Sequence, residues 1–241
     1  MTAMKKKIGI VGCGTIGTAL AEAVKERFPG KGEITAVCDI DRGKAARLGN
    51  YLPLAELVEA VDLVIETASP QAVRELVPLV IKNGKEILVL STGGLLEIPL
   101  QRGIYFPSGA IAGLDGLRAV SFARIDEITL TTTKPPRALG DKKYDRDTVI
   151  FNGTAAEAVA AFPKNINVCA TLALVSGRPD LVTVKIVASP KVARNTHQVD
   201  IEGDFGHITC RMQNEPSPDN PKTSFLAVLS AIAKLDELLS R

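Results

Sequence analysis

Between Lys7 and Leu20 the chain reads KIGIVGCGTIGTAL, and this stretch restricts the fold more than any other. A short apolar run meets glycines at positions 12, 14 and 17, and from Thr15 onward apolar residues recur at Ile16, Leu20, Ala23 and Val24 with helical spacing. A strand that turns through Gly-x-Gly-x-x-Gly into a helix is how a dinucleotide-binding βαβ unit begins. Gly12 permits the turn, Gly14 lets a phosphate approach the backbone, and Gly17 lets the helix lie close to the sheet. Across Gly12, Cys13, Gly14, Thr15, Ile16 and Gly17, free backbone N–H groups and the positive helix end are then aimed at a pyrophosphate. The same glycines also serve plain turns, so the context decides. Asp39 supplies it, at the end of a second apolar run, EITAVCD, where a carboxylate accepts hydrogen bonds from the adenosine ribose hydroxyls. Its charge opposes a 2′-phosphate and favours NAD. Arg42 leaves NADP open, because a guanidinium there either stacks on adenine, pairs with the extra phosphate or is solvated.

The units that follow alternate. DLVIETA from Asp62 and EILVLST from Glu86 are near-continuous apolar runs, as expected of parallel strands buried on both faces. Between them SPQAVRELVPLVIKNG opens on Ser69 as N-cap with Pro70 in the first turn, and closes on Asn83-Gly84. This order implies a doubly wound, Rossmann-type parallel sheet. Its carboxyl edge, with Thr67, Ala68 and Ser69 after one strand and Ser91 and Thr92 after the next, is expected to line the nicotinamide half of the coenzyme. Glu66, at the same edge, is read as bonding local backbone rather than as catalytic.

Near Phe106 the character changes. FPSGAIAGLDGL is glycine-rich and apolar, and EITLTTT, DTVIF, LVTVKIVAS, THQVDIE and HITCRM are β-prone, with helical segments only at TAAEAVAAF and VCATLALV. That composition fits a second, α+β catalytic domain with a mostly antiparallel sheet. Residues 1–107 are assigned to the nucleotide-binding domain and 108–221 to the catalytic, substrate-binding domain. The closing helix, 222–241, is expected to pack back on the first.

Composition excludes several function classes. With 46% hydrophobic and 23% charged residues the 241-residue chain has enough apolar material for a core. A net charge of +2, no Trp and no basic block interleaved with aromatics argue against nucleic acid. The start MTAMKKK is followed by glycines rather than an apolar signal core, and no apolar stretch is long enough for a membrane span. Cys13, Cys38, Cys169 and Cys210 are widely spaced, without a zinc or disulfide pattern. The expected setting is a reducing cytoplasm, with no metal.

Acid–base chemistry falls to histidine, of which there are two. In SPKVARNTHQVDIEG, strand alternation puts Asn195, His197, Val199 and Ile201 on one face, just after Lys191 and Arg194. An amide, an imidazole and nearby cations suit a carboxylated substrate, although a packed strand histidine and a solvated basic loop satisfy the same pattern. His207 reads as structural. The segment KPPRALGDKKYDRDT from Lys134 reads as a loop whose cations either face solvent or help to close a site.

Three stretches carry more than local chemistry. FPSGAIAGLDGLRA, FNGTAAEAVAAFPKNINVCATLAL and NTHQVDIEGDFG, in this order after the glycine motif, resemble the L-aspartate dehydrogenase family over nearly the whole chain. The resemblance implies a homodimer that uses NAD or NADP to oxidise L-aspartate to iminoaspartate, which hydrolyses to oxaloacetate and ammonia or feeds NAD biosynthesis. It makes His197 catalytic and adds Ala110 and either Asn165 or Asn167 as coenzyme contacts, while Asn195, Arg194 and Lys191, from the strand reading above, are the candidates for holding the substrate, and residues 108–221 would carry the dimer contact. Two alternatives share the first domain: a dihydrodipicolinate reductase or homoserine dehydrogenase type of enzyme, and a non-enzymatic NAD-binding sensor.

Overall fold

The computed structural model describes residues 4–139, 143–161 and 167–241. Two compact units emerge, Met1–Pro107 with Val228–Arg241 and Ser108–Ala227.

In the first unit the strands are β1 (Lys6–Val11), β2 (Gly32–Cys38), β3 (Leu63–Glu66), β4 (Glu86–Val89) and β5 (Ile104–Tyr105). They pair in parallel in the order β2-β1-β3-β4-β5. The crossovers are α1 (Thr15–Glu26), α2 (Arg42–Leu48), α3 (Leu54–Ala60) and α4 (Pro70–Lys82). Strand order reverses at β1, and ligands bind such sheets outside the carboxyl ends of the strands beside that reversal. Ile8, Ile10, Leu63, Ile65 and Leu88 form the middle of the core, and Leu20 and Val24 of α1 cover it. The last helix of the chain, α8 (Phe225–Leu239), packs Ala231, Leu235 and Leu238 into the same core. Lys31 and Asp236 pair at 2.7 Å across its flank.

The second unit contains α5 (Leu114–Val120), β6 (Ile125–Lys134), β7 (Thr148–Thr154), α6 (Ala155–Ala161), α7 (Asn167–Ser176), β8 (Val182–Ala188), β9 (Asn195–Gly203) and β10 (Gly206–Asn214). The sheet order is β10-β9-β6-β8-β7. Every pairing is antiparallel except β6 with β8, which makes the sheet mixed rather than purely antiparallel. A crossover through β7, α6 and α7 lies between those two strands and permits their parallel pairing. α6 and α7 pack on β8. One face is buried along its length, with Ile128 and Leu130 from β6, Val182, Val184 and Ile186 from β8, and Val199 and Ile201 from β9. At one end, where β6 and β8 finish and β9 begins, the buried residues turn polar: Thr132, Lys134, Ser189 and His197.

Candidate active site

The cradle in the first unit is made mostly of backbone. Gly12 has φ of +96°, and a Cβ there would lie 2.7 Å from the Ala68 nitrogen. A Cβ on Gly17 would sit 2.1 Å from the Gly12 carbonyl oxygen, so close packing of α1 forbids any side chain at that position. Gly14, the N-cap of α1, differs: nothing lies within 4 Å of where its Cβ would be. Two of the glycines are therefore required by the protein itself, whereas the third keeps a space clear. That space opens into a cavity of about 440 Å³ lined by Cys13, Gly14, Thr15, Thr18, Lys44, Arg47 and Leu48. A helix N-terminus, an open glycine and two cations are the surroundings a pyrophosphate-bearing dinucleotide needs, and the residues fit one.

The polar side chains around this loop fix its shape. Asp39 accepts the Cys13 N–H at 2.6 Å and the Asp41 N–H at 2.8 Å, so the carboxylate expected at the ribose also braces the glycine loop. Asp41 caps α2 by accepting the Gly43 and Lys44 N–H groups. The Arg42 guanidinium lies over the Tyr51 ring, 5.1 Å from its centroid. Thr67 donates to the Gly12 carbonyl at 2.5 Å, and Ser69 caps α4 by accepting the Ala72 N–H. Glu66 is fully buried at the end of β3. It accepts four hydrogen bonds, from the Ala68 and Ser69 N–H groups and from the Ser91 N–H and hydroxyl, which tie the carboxyl ends of β3 and β4 together. Burial nevertheless pushes its pKa above the ordinary carboxylate value. Thr92 is buried in the single turn after Ser91. Burial, and then the Asp39 charge, push the Cys13 thiol up to about 11, away from the thiolate form.

In the second unit His197 is buried on β9 directly opposite Thr132 of β6. Its Nδ1 shares a 2.9 Å hydrogen bond with the Thr132 hydroxyl, which fixes the ring and leaves Nε2 as the second ring nitrogen. Burial, and then the Lys134 charge, bring its pKa down to about 4, so at neutral pH the imidazole is uncharged. Asn195, two residues earlier, holds a buried Oδ1 with no hydrogen-bond donor among the described residues. Asn214, at the end of β10 and opposite Asn195 in register, donates from Nδ2 to the Ala110 carbonyl at 2.9 Å, so the Ala110 backbone is anchored to the same end of the sheet.

The other expected residues are placed differently. Arg194 pairs with Glu215 at 2.5 Å and Lys191 with Asp147 at 3.1 Å, and both cations are at least half exposed. Asn167 is exposed as the first residue of α7, while Asn165 lies outside the described residues. His207, exposed, contacts Glu202 and Thr209. Lys134 corrects the loop reading: it is the last residue of β6, on the inward phase that runs Ile128, Leu130, Thr132, Lys134, and is buried. That two-residue period was present in EITLTTTK and would have found both Thr132 and Lys134. Asn214 had no comparable local signal. Among the described residues no cluster of His, Cys, Asp or Glu could hold a metal ion, and no helix is long and apolar enough to cross a membrane.

Comparison with known proteins gives a consistent picture. Residues 115–238 match the family described as aspartate dehydrogenase, C-terminal, and residues 12–105 match the homoserine dehydrogenase NAD-binding domain. L-aspartate dehydrogenase of Methanosarcina mazei is 39% identical over 97% of both chains. That of Methanothermobacter thermautotrophicus is 41% identical over 96% of this chain and 95% of its own. Among solved structures, aspartate dehydrogenase of Thermotoga maritima superposes with a TM-score of 0.75 at 28% identity, covering 98% of this chain and 97% of its own. The myo-inositol dehydrogenase of Lactobacillus casei, solved with NAD(H) and myo-inositol, shares the fold with a TM-score of 0.62 at 12% identity.

Proposed function

We propose, from the premise that the chain belongs to the L-aspartate dehydrogenase family, that it oxidises L-aspartate to iminoaspartate and releases oxaloacetate and ammonia. It is a pyridine-nucleotide-dependent dehydrogenase, and the bound nucleotide supplies the hydride acceptor. The observation that carries the reading is His197: a buried, uncharged imidazole with its Nδ1 held by Thr132, in a chain whose other unit is a dinucleotide cradle.

In this reading the glycine loop and α1 hold the pyrophosphate, with Asp39 on the ribose. Asp39 makes NAD the first choice of coenzyme, and Lys44 and Arg47 in the neighbouring cavity allow NADP. Thr67, Ala68, Ser69, Ser91 and Thr92 form the floor under the nicotinamide half, their backbone stiffened by Glu66. Ala110 contributes its backbone to the coenzyme contacts, as does Asn167 or Asn165.

Most of the chain's own contribution is positioning, since the hydride chemistry belongs to the coenzyme. Asn195 offers its buried carbonyl oxygen to the substrate ammonium or amine. His197 takes a proton from the water that adds to the imine carbon, and later delivers a proton to the departing ammonia. A base with a pKa near 4 is weak; burial depresses it most and the Lys134 charge second, and an anionic substrate beside the ring offsets the second of these and strengthens the base. The same reading has the chain working as a homodimer in the cytoplasm, with iminoaspartate available to pyridine nucleotide biosynthesis.

The test is to incubate the protein with L-aspartate and either NAD or NADP, following coenzyme reduction and assaying oxaloacetate and ammonia. Reduction with equimolar ammonia release is the expected result. Tight dinucleotide binding with no reduction of either coenzyme would overturn the assignment and favour the sensor.

A further inference from the structure

The buried phase of β6 begins with Ile128 and Leu130 and then places a hydroxyl, that of Thr132, where a sheet core ordinarily takes valine. The other threonines of the strand, Thr129, Thr131 and Thr133, lie on the opposite phase and are only half-buried. β6 is the middle strand of its sheet, so the Thr132 backbone is fixed between His197 of β9 and Ile186 of β8. Around it the buried face carries Leu130, Ile186 and Val199. A hydroxyl in such surroundings is costly without a partner. Among the described residues its partner is the His197 Nδ1, at 2.9 Å, and no carboxylate bonds the ring. Orientation of the imidazole therefore falls to this hydroxyl.

We infer that Thr132 is the positioning residue for His197: its hydroxyl accepts the Nδ1–H, which leaves the Nε2 lone pair as the one that takes a proton. A hydroxyl is also able to donate, but the neutral ring would then carry its hydrogen on Nε2 and have no lone pair to offer the water. Only the accepting arrangement serves both stages of the reaction. When Nε2 gains a proton from water, Nδ1 keeps its own and the bond to Thr132 stays in place. The proton on Nε2 is then the one passed to the departing ammonia. A carboxylate in place of Thr132 would also orient the ring, but its charge would favour the imidazolium over the free base. The hydroxyl orients the ring without charging it. This inference rests on the proposed role of His197 in aspartate oxidation and names the residue that selects its tautomer.

Nitrogen NMR on the full-length, ¹⁵N-histidine-labelled wild type reads the tautomer directly, with the His197 signals assigned by their absence from His197→Asn. At neutral pH a pyrrole-type Nδ1 and a pyridine-type Nε2 are expected, and the reverse pattern would overturn the inference. Thr132→Val keeps the shape of the side chain and removes the hydroxyl. Its kcat for L-aspartate should fall about ten- to a hundredfold, the loss typical of one buried hydrogen bond, with the KM and the dissociation constant for dinucleotide unchanged. Thr132→Ser, which restores the hydroxyl, should recover most of that rate. An active wild type whose kcat survives Thr132→Val would overturn the inference while leaving the activity standing. A wild type that does not turn over aspartate would instead overturn the activity, and the spectrum would still decide the tautomer.

Discussion

The two sheets build their functional ends from different materials. At the carboxyl edge of the parallel sheet the cradle is mostly backbone: N–H groups at the start of α1, two glycines, Gly12 and Gly17, whose Cβ atoms cannot be accommodated, and a carboxylate, Glu66, that accepts three main-chain N–H groups and one hydroxyl. At the polar end of the mixed sheet the polar groups are side chains, Thr132, Lys134, Asn195 and His197, from two strands more than sixty positions apart in sequence that only register brings together. A backbone site depends on local geometry and tolerates few substitutions, whereas a side-chain site is set by what each strand points inward and can be rewritten one residue at a time. That contrast fits a common division of labour, in which one architecture binds the dinucleotide in many enzymes and the second unit decides what is oxidised.

The largest expected effect falls on the backbone site. Glu66→Ala removes the acceptor for three N–H groups and a hydroxyl, each costing about 1–3 kcal/mol if buried unsatisfied, so the variant should lose at least about 3 kcal/mol of stability by denaturant unfolding. A loss below about 1 kcal/mol would show that the edge is not held by this carboxylate.

On the side-chain site the comparable quantity is a pH dependence. His197 has a folded pKa near 4 against 6.5 when unfolded, so the unfolded chain binds more protons between those values. Stability contributed by the neutral imidazole is present above about pH 6.5 and is lost as pH falls toward 4, amounting to about 3 kcal/mol. Unfolding measured across that range should show this slope in the wild type and a shallower one in His197→Asn. Equal slopes would mean that the imidazole is not held in its neutral form.

The smallest effect separates two glycines within one motif. Gly17→Ala drives a Cβ into the Gly12 carbonyl and should cost about 1–3 kcal/mol of stability, as overpacking does. Gly14→Ala meets open space and should leave the melting temperature unchanged while weakening dinucleotide binding. Equal destabilisation by both would contradict the view that Gly14 is kept for the ligand.

What could be read in advance follows the same division. The glycine motif, the N-cap at Ser69 and the apolar runs of β3 and β4 are local, and each appears in the structure as an element or a cap. The parallel pairing of β6 and β8 was hidden, because no run of residues states which distant strand it will meet. Lys134 was misplaced in a loop because the prolines that follow it outweighed the alternation that precedes it. The partners of Arg194 and Lys191, and the anchoring of Ala110 by Asn214, are likewise settled only by tertiary register.

The most direct test of the account compares the wild type with His197→Asn for L-aspartate turnover and for dinucleotide binding. The account predicts that kcat/KM falls by about 10²–10⁴-fold, the usual contribution of a general base, in a variant that is folded at neutral pH and binds the dinucleotide with unchanged affinity. Turnover that survives the substitution would remove the chemistry from the polar end of the second sheet and contradict the division of labour.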